Sequence, residues 1–490
     1  MKKILTIIAV ISLTVSCKDF LDIRTEASMP ASGTDYSKSE SIFAPVSAAY
    51  ASLRLSEGEA YSYVSVLEVP SDDADKGSTA TDGKEARELD EFTFTPTNSL
   101  INDVWIKFFN IVSAANYAIG EMPKFEEAQS TDGDKAYTHQ CAAEAKLIRA
   151  YAYFNLVRLF GTVPIVDRTM TAEELAGNPA KSENELYQFI YGDLDDAITL
   201  LPESWGKKYA GRFTKYTAMA LKAKVALYRK DWEEAAKQSD DIITSGLFDL
   251  VPNFRNTFSM DYENSVESLM EVEASSLGQV SGDAPICFYA FIQGPRNNQP
   301  SNMQGWGFCV PSQGLVDYFA ARGDAQRDAA TILRRGTTTP EGDEILSSCA
   351  NPYYNGKVYT PSSYNLWSYN GYGFDYNMRL IRFAEVLLTY AEAKAQGATA
   401  GTSSAQDALD RVRIRAGLTP VAASLENVLE ERHAELAMEQ NRFFDLVRTG
   451  KAADVLGGKG FKVGKNEHFP IPAAQRQLNT ELPESIGYTY

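Results

Sequence analysis

Residues 143–161 read AEAKLIRAYAYFNLVRLFG. Ala145, Ile148, Ala152, Leu156 and Leu159 recur at spacings of three and four, the repeat that lines one face of an α-helix. Gly161 closes the run, as a residue free to adopt the left-handed backbone that ends helices. The pattern predicts a helix over about 139–160, and the same rhythm extends outward from it. It begins near Ser41, with Ile42, Val46, Ala49, Tyr50 and Leu53, and predicts a helix over 98–122. Further helices fit 182–201, 215–229, 231–244, 378–396, 403–416 and 425–449. Trp105 and Trp232 fall on apolar faces and are expected in the core.

Several helices come in pairs with short breaks. Ala218, Ala223 and Ala226-Leu227-Tyr228, then Lys230-Asp231, then Trp232-Glu233-Glu234-Ala235 form the pattern of a tetratricopeptide-type hairpin. Small residues let paired helices approach closely, and such pairs must stack to bury their faces. No regular period is visible, so the expectation is a set of divergent hairpins at about 41–55, 98–245 and 378–449. The fold class expected is mainly α, with tetratricopeptide-like hairpins packed against an irregular, loop-rich portion holding a few short strands.

Two stretches carry turn chemistry instead, about 56–97 and 250–377, with Pro70, Gly77 and Pro96 in the first and brief apolar runs in the second. A long irregular segment inside a compact protein is usually functional. From Asn351 to Tyr376 there are nine aromatics, Tyr353, Tyr354, Tyr359, Tyr364, Trp367, Tyr369, Tyr372, Phe374 and Tyr376, a density that serves either ligand stacking or a packed core. Asp72-Asp73-Ala74-Asp75-Lys76-Gly77 lacks the alternating ligands of a calcium loop and reads as a solvated turn.

The chain opens with Lys2-Lys3, an apolar run from Ile4 to Val15, Ser16 and then Cys17. A basic start, a short apolar stretch and a small residue before a cut site make a secretory signal over residues 1–16. Cys17 after Leu13-Thr14-Val15-Ser16 is similar to the lipobox of a bacterial lipoprotein, so the mature chain is expected to begin at a lipidated Cys17, with a tether over 17–40 and one domain over 41–490. The formal net charge is −18, and removal of Lys2 and Lys3 makes it −20. That balance argues against a nucleic-acid partner. Apart from Cys17, the cysteines are Cys141, Cys287, Cys309 and Cys349, with no C-x-x-C pair to suggest a structural zinc site. A disulfide among the last three and free buried thiols both remain open.

Taken together, these residues resemble the SusD/RagB family of Bacteroidetes outer-membrane lipoproteins over nearly the whole chain. The resemblance rests on Cys17-Lys18-Asp19-Phe20-Leu21-Asp22, residues 143–164, Arg382 to Ala393, Arg411 to Gly417, Glu431 to Glu439 leading to Arg442-Phe443-Phe444-Asp445-Leu446, and Phe469-Pro470-Ile471-Pro472 with Leu478-Asn479 and Gly487-Tyr488. It implies four tetratricopeptide-like units and a surface-exposed, lipid-anchored outer-membrane protein. It also implies a SusC-like TonB-dependent transporter as partner, and an oligosaccharide, or in some members a peptide, as ligand. It implies no catalysis and no cofactor beyond the lipid on Cys17.

Sugar rings present apolar faces, so aromatic platforms combined with planar polar side chains are the expected site chemistry. The candidates are Asp72, Asp73, Arg87, Phe94 and Asn98 in the first irregular stretch, and Tyr289, Trp306, Tyr353, Tyr354 and Trp367 in the second. Each competes with a packing role. A phenylalanine rather than a tryptophan at Phe94 is the departure from the family pattern that bears on this platform. Enzymatic motifs are weak. Gly278-Gln279-Val280-Ser281-Gly282 is out of register for a nucleophile elbow, and His433-Ala434-Glu435 has no P-C-x-x-C partner for a deaminase. A surface glycoside hydrolase is therefore the lesser alternative. Glu144, Arg149, Glu385, Glu392, Arg432 and Glu435 are expected to form inter-helix ion pairs, and Arg411, Arg413 and Arg415 to pair with neighbouring acids.

Overall fold

The structure is a computed structural model, and it describes residues 34–274, 287–298, 304–364 and 376–490. Cys17, Trp367, Tyr369, Tyr372, Phe374 and the 278–282 motif lie outside the described residues.

The central helix spans Asp132–Phe160, seven residues longer at its start than its apolar stripe reveals. Thr131 supplies the missing signal: its hydroxyl accepts from the Asp134 N–H and caps two exposed polar turns. From Ala143 to Phe160 every residue except Lys146 is buried, so this helix is enclosed on all sides rather than lying on a surface. Ser99–Ala128 packs on one side of it and Glu183–Leu200 on another. Lys215–Arg229 and Trp232–Ser245 form the expected hairpin, and Phe383–Ala395 packs against its second helix. Trp105 is in the core, while Trp232 is half-buried at its edge. One apolar cluster contains Ala49 near the start and Leu482 near the end.

Enclosure requires that the polar residues of these helices find partners. Arg149 forms a two-point pair with Asp193, and Glu144 pairs with Arg212, whose guanidinium lies 3.6 Å from the Trp205 ring centroid. Glu385 accepts from Lys224 and Arg432, Arg432 reaches Asp445, and Glu392 pairs with Arg448. Glu435 receives Arg327, Arg382 and Arg415, drawn from three other elements. Arg411 pairs with Asp249 and Arg413 with Glu431. The charged residues of the signature helices are thus the register pins that their spacing suggested.

Three expectations are corrected. Residues 378–382 are not helix: Met378–Arg382 is a strand antiparallel to Ser268–Val272, and the helix begins at Phe383. The stretch 425–449 breaks into Leu425–Leu436 and Arg442–Arg448. Met438 and Gln440 take left-handed φ of 64° and 57°, and the Gln440 N–H turns out to donate to the buried Glu68 carboxylate. The irregular stretches contain helices whose periodicity is too short or too β-branched to read, Glu57–Leu67 with a Ser56/Glu59 capping box, Lys84–Asp90, Gln313–Arg322 and Ala325–Thr331. Cys141, Cys287, Cys309 and Cys349 are all buried free thiols. Among the described residues, no helix is long and apolar enough to cross a membrane.

Candidate functional site

Two short strands join the irregular stretches. Ala74–Gly77 runs antiparallel to Phe308–Pro311, with Ala74 opposite Pro311 and Gly77 opposite Phe308. The residues read as a solvated turn are therefore part of a ladder, and Ser71, Asp73 and Ala74 are buried. At one end of the ladder the backbones nearly touch. A Cβ on Gly77 would sit 2.3 Å from the Gly307 carbonyl oxygen, and both glycines have left-handed φ, 73° and 69°. The Ser78 N–H donates to that same oxygen at 2.5 Å.

This close approach presents Trp306. Its N–H donates to the Phe291 carbonyl at 3.2 Å and its carbonyl accepts from Ser78 Oγ at 2.8 Å. The half-buried indole is braced edge-on by Phe291, at 6.1 Å between centroids, and by Phe308 at 6.5 Å. Beside it lies a polar cluster. Arg296 Nη1 donates to Asp82 Oδ2 at 2.6 Å and to Ser78 Oγ at 2.5 Å, and the Arg296 side chain remains one-third exposed. Burial alone would raise the Asp82 carboxyl, but the hydrogen bonds from Thr79 and Ser78 and the Arg296 charge outweigh it and hold Asp82 below the usual carboxylate range. Arg87 closes this loop by donating to the Ala80 carbonyl. An apolar ring face next to an ionised acid and a guanidinium is suited to a ligand with alternating C–H and hydroxyl surfaces.

At the other end of Phe308–Pro311, about 10 Å away at roughly 3.3 Å per residue, the Tyr353 hydroxyl donates to the exposed Gln313 Oε1 at 2.9 Å. Tyr353 begins the strand Tyr353–Asn355, which pairs with Ile332–Arg334. The ladder thus carries an aromatic ring near each end.

The structure places Trp306 at this cluster, ties Arg87 to the adjoining loop through the Ala80 carbonyl, and sets Tyr353 along the same ladder. It corrects most other candidates, because their side chains are occupied in the fold. Phe94 is 2% exposed, packed between Phe92, Phe469 and Tyr488. Asn98 caps Ser99–Ala128 by accepting from the Leu100 and Ile101 N–H groups, and its amide donates to Glu85 and Glu88. Tyr289 is buried with its hydroxyl on Gln440, and Tyr354 is buried with its hydroxyl accepting from the Asn351 N–H. Asp73 is buried against His433, and Asp72 is held by both Nε and Nη2 of Arg442. Trp367 lies outside the described residues. Sequence reasoning missed Ser78, Asp82, Arg296 and Gln313. Arg296 carried the clearest signal, an arginine in Gly294-Pro295-Arg296-Asn297-Asn298 only ten residues before Trp306.

A mostly helical scaffold with a loop-built, aromatic and polar face defines a binding protein. Comparison with known proteins makes the class specific. Residues 335–488 match the family model described as SusD family, and residues 19–227 match one described as starch-binding, associating with outer membrane. The chain belongs to the SusD/RagB family. SusD-like protein P2 of Formosa agariphila is 28% identical over 519 residues, covering 99% of each chain. Among solved structures, a laminarin-binding SusD-like protein superposes with a TM-score of 0.78 at 26% identity, covering 92% of this chain and 99% of the other. Surface glycan-binding protein A from Bacteroides fluxus gives 0.78 at 25% identity, covering 92% and 100%.

Proposed function

We propose that this protein binds an oligosaccharide at the outer membrane and hands it to a SusC-like TonB-dependent transporter, without chemistry of its own. The observation that carries the reading is Trp306, braced on two sides and set beside Ser78, Asp82 and Arg296, in a chain similar to a laminarin-binding protein. Trp306 offers the stacking face, Arg296 and Asp82 the directional hydrogen bonds, and Tyr353 with Gln313 a second contact further along the chain of sugars. Residues from 41 onward act as one α domain, a reading supported by the apolar cluster that includes both Ala49 and Leu482. Lipidation at Cys17 would tether that domain to the membrane.

Isothermal titration of the mature protein against a panel of oligosaccharides that includes laminarin fragments tests this. Trp306→Ala is expected to weaken the best ligand at least tenfold, about 1.4 kcal/mol, with the thermal midpoint unchanged. Binding of peptides but no glycan would overturn the ligand class. Release of reducing ends from any glycan would overturn the absence of catalysis.

A further inference from the structure

The strongest unassigned constellation lies at the far end of the Ala74–Gly77 ladder. Asp72 and Asp73 precede that strand, and His433 comes from the helix Leu425–Leu436. One donor atom from each of the three lies within 4.8 Å of the others. His433 Nε2 is 2.6 Å from Asp73 Oδ1. Asp73 is 1% exposed, and its other oxygen, Oδ2, is buried with no hydrogen-bond partner among the described residues. A buried orphan carboxylate oxygen is costly and calls for a proton, a water or a cation.

The surroundings are rigid. The Ser312 N–H donates to the Asp73 carbonyl at 2.8 Å, and Ser312 Oγ donates to the Asp72 carbonyl at 2.6 Å. The Tyr318 ring stacks on the His433 imidazole at 4.1 Å between centroids and 24° between planes, fixing the ring. Arg442 holds Asp72 from one side through two hydrogen bonds of 2.7 and 2.8 Å, the outer-sphere support that ligating carboxylates characteristically have. The Asp72 side chain is 30% exposed, which leaves a path from solvent to the cluster.

We propose that Asp72, Asp73 and His433 bind a divalent first-row transition ion, with Zn2+ as the reference case. One imidazole nitrogen and two carboxylate oxygens suit such an ion better than Ca2+ or Mg2+, which favour oxygen-only shells. Tetrahedral zinc at about 2.0–2.2 Å from each ligand spaces its donors about 3.3 Å apart. The His433–Asp73 pair must open by about 0.7 Å from 2.6 Å, and the widest separation must close by at most about 1.5 Å from 4.8 Å, movements available to side-chain rotation. The ion would exchange the His433–Asp73 hydrogen bond for two metal bonds and clip the binding-face loop to a helix 360 residues away. Three protein ligands leave a position open toward solvent on the Asp72 side.

The test uses untagged mature protein stripped with a chelator, titrated calorimetrically with Zn2+ and spectroscopically with Co2+. The chain has only two other histidines, His139 and His468, so a H139A/H468A variant leaves His433 as its sole imidazole. The expected result is one ion per chain, unchanged within twofold in H139A/H468A and weakened at least tenfold in H433A. Asp72→Asn, at the half-exposed ligand, should weaken binding similarly in a protein whose circular dichroism matches the parent, and this guards against misfolding of H433A. The visible cobalt bands should vanish with H433A. Failure to bind one ion per chain overturns the site, as does binding lost in H139A/H468A or affinity left intact by both H433A and Asp72→Asn.

Discussion

Replacing Glu435 with glutamine should destabilise this protein by about 3–5 kcal/mol at neutral pH, the usual effect of removing one member of a buried ion cluster. Glu435 is fully buried, and its carboxylate receives Arg415, Arg382 at 3.0 Å and Arg327 at 3.2 Å, while the Lys357 ammonium donates to its backbone carbonyl at 2.9 Å. Burial favours the neutral acid, but Arg415, Arg382, Arg327 and Lys357 together overcome it and hold the carboxyl at about 2, against its ordinary 4.5. A depression of that size corresponds to about 3 kcal/mol at 1.36 kcal/mol per pH unit. A carboxyl with a lowered folded pKa stabilises fully above its unfolded value. That contribution is lost as pH falls from about 4.5 towards 2. Urea denaturation of wild type and Glu435→Gln at a series of pH values measures it. The difference between them should be largest above pH 5 and shrink steadily below pH 4.5. A difference under about 1 kcal/mol at pH 7, or one that stays constant down to pH 2.5, would refute the assignment of Glu435 as the counter-charge that fixes these four elements.

The remaining predictions separate packing from binding. Phe94→Ala should cost about 3–5 kcal/mol in denaturation experiments, and the folded fraction should bind the best glycan with unchanged affinity, because the ring sits inside the core. A large affinity loss with unchanged stability would restore Phe94 as a platform. Gly356→Ala should lower the melting temperature by several degrees, since an added Cβ would lie 2.2 Å from the Ala330 carbonyl oxygen. An unchanged melting temperature would show that the segment Gly356–Val358 yields readily.

The helical half of the fold was legible because periodicity survives wherever a helix has an apolar stripe and a cap. Lys215–Arg229 matches its expected bounds, and Asp132–Phe160 differs only by turns whose sole marker is the Thr131 cap. The ion pairs were legible as charged residues on otherwise apolar helices, although their partners were not. Arg212 for Glu144 and Asp193 for Arg149 are 68 and 44 residues away in sequence. The break after Leu436 was invisible locally: the Gln440 N–H just beyond it is held by the Glu68 carboxylate, 372 residues away in sequence.

The candidate site followed the same division. Composition alone marked the aromatic residues of the loop-rich stretches, but a ring that stacks on sugar and a ring that fills a core have the same local signature. Only the tertiary structure separates Trp306, half-buried at the mouth of a two-strand ladder, from Phe94, Tyr289 and Tyr354, which are closed off by neighbours. The sequence by itself determined the helix class, the family and the residue types available for binding, because these depend on spacing within a few turns of chain. Which of those residues face solvent, and which acids meet which arginines, was decided by contacts between segments far apart in sequence, for which local periodicity carries no information.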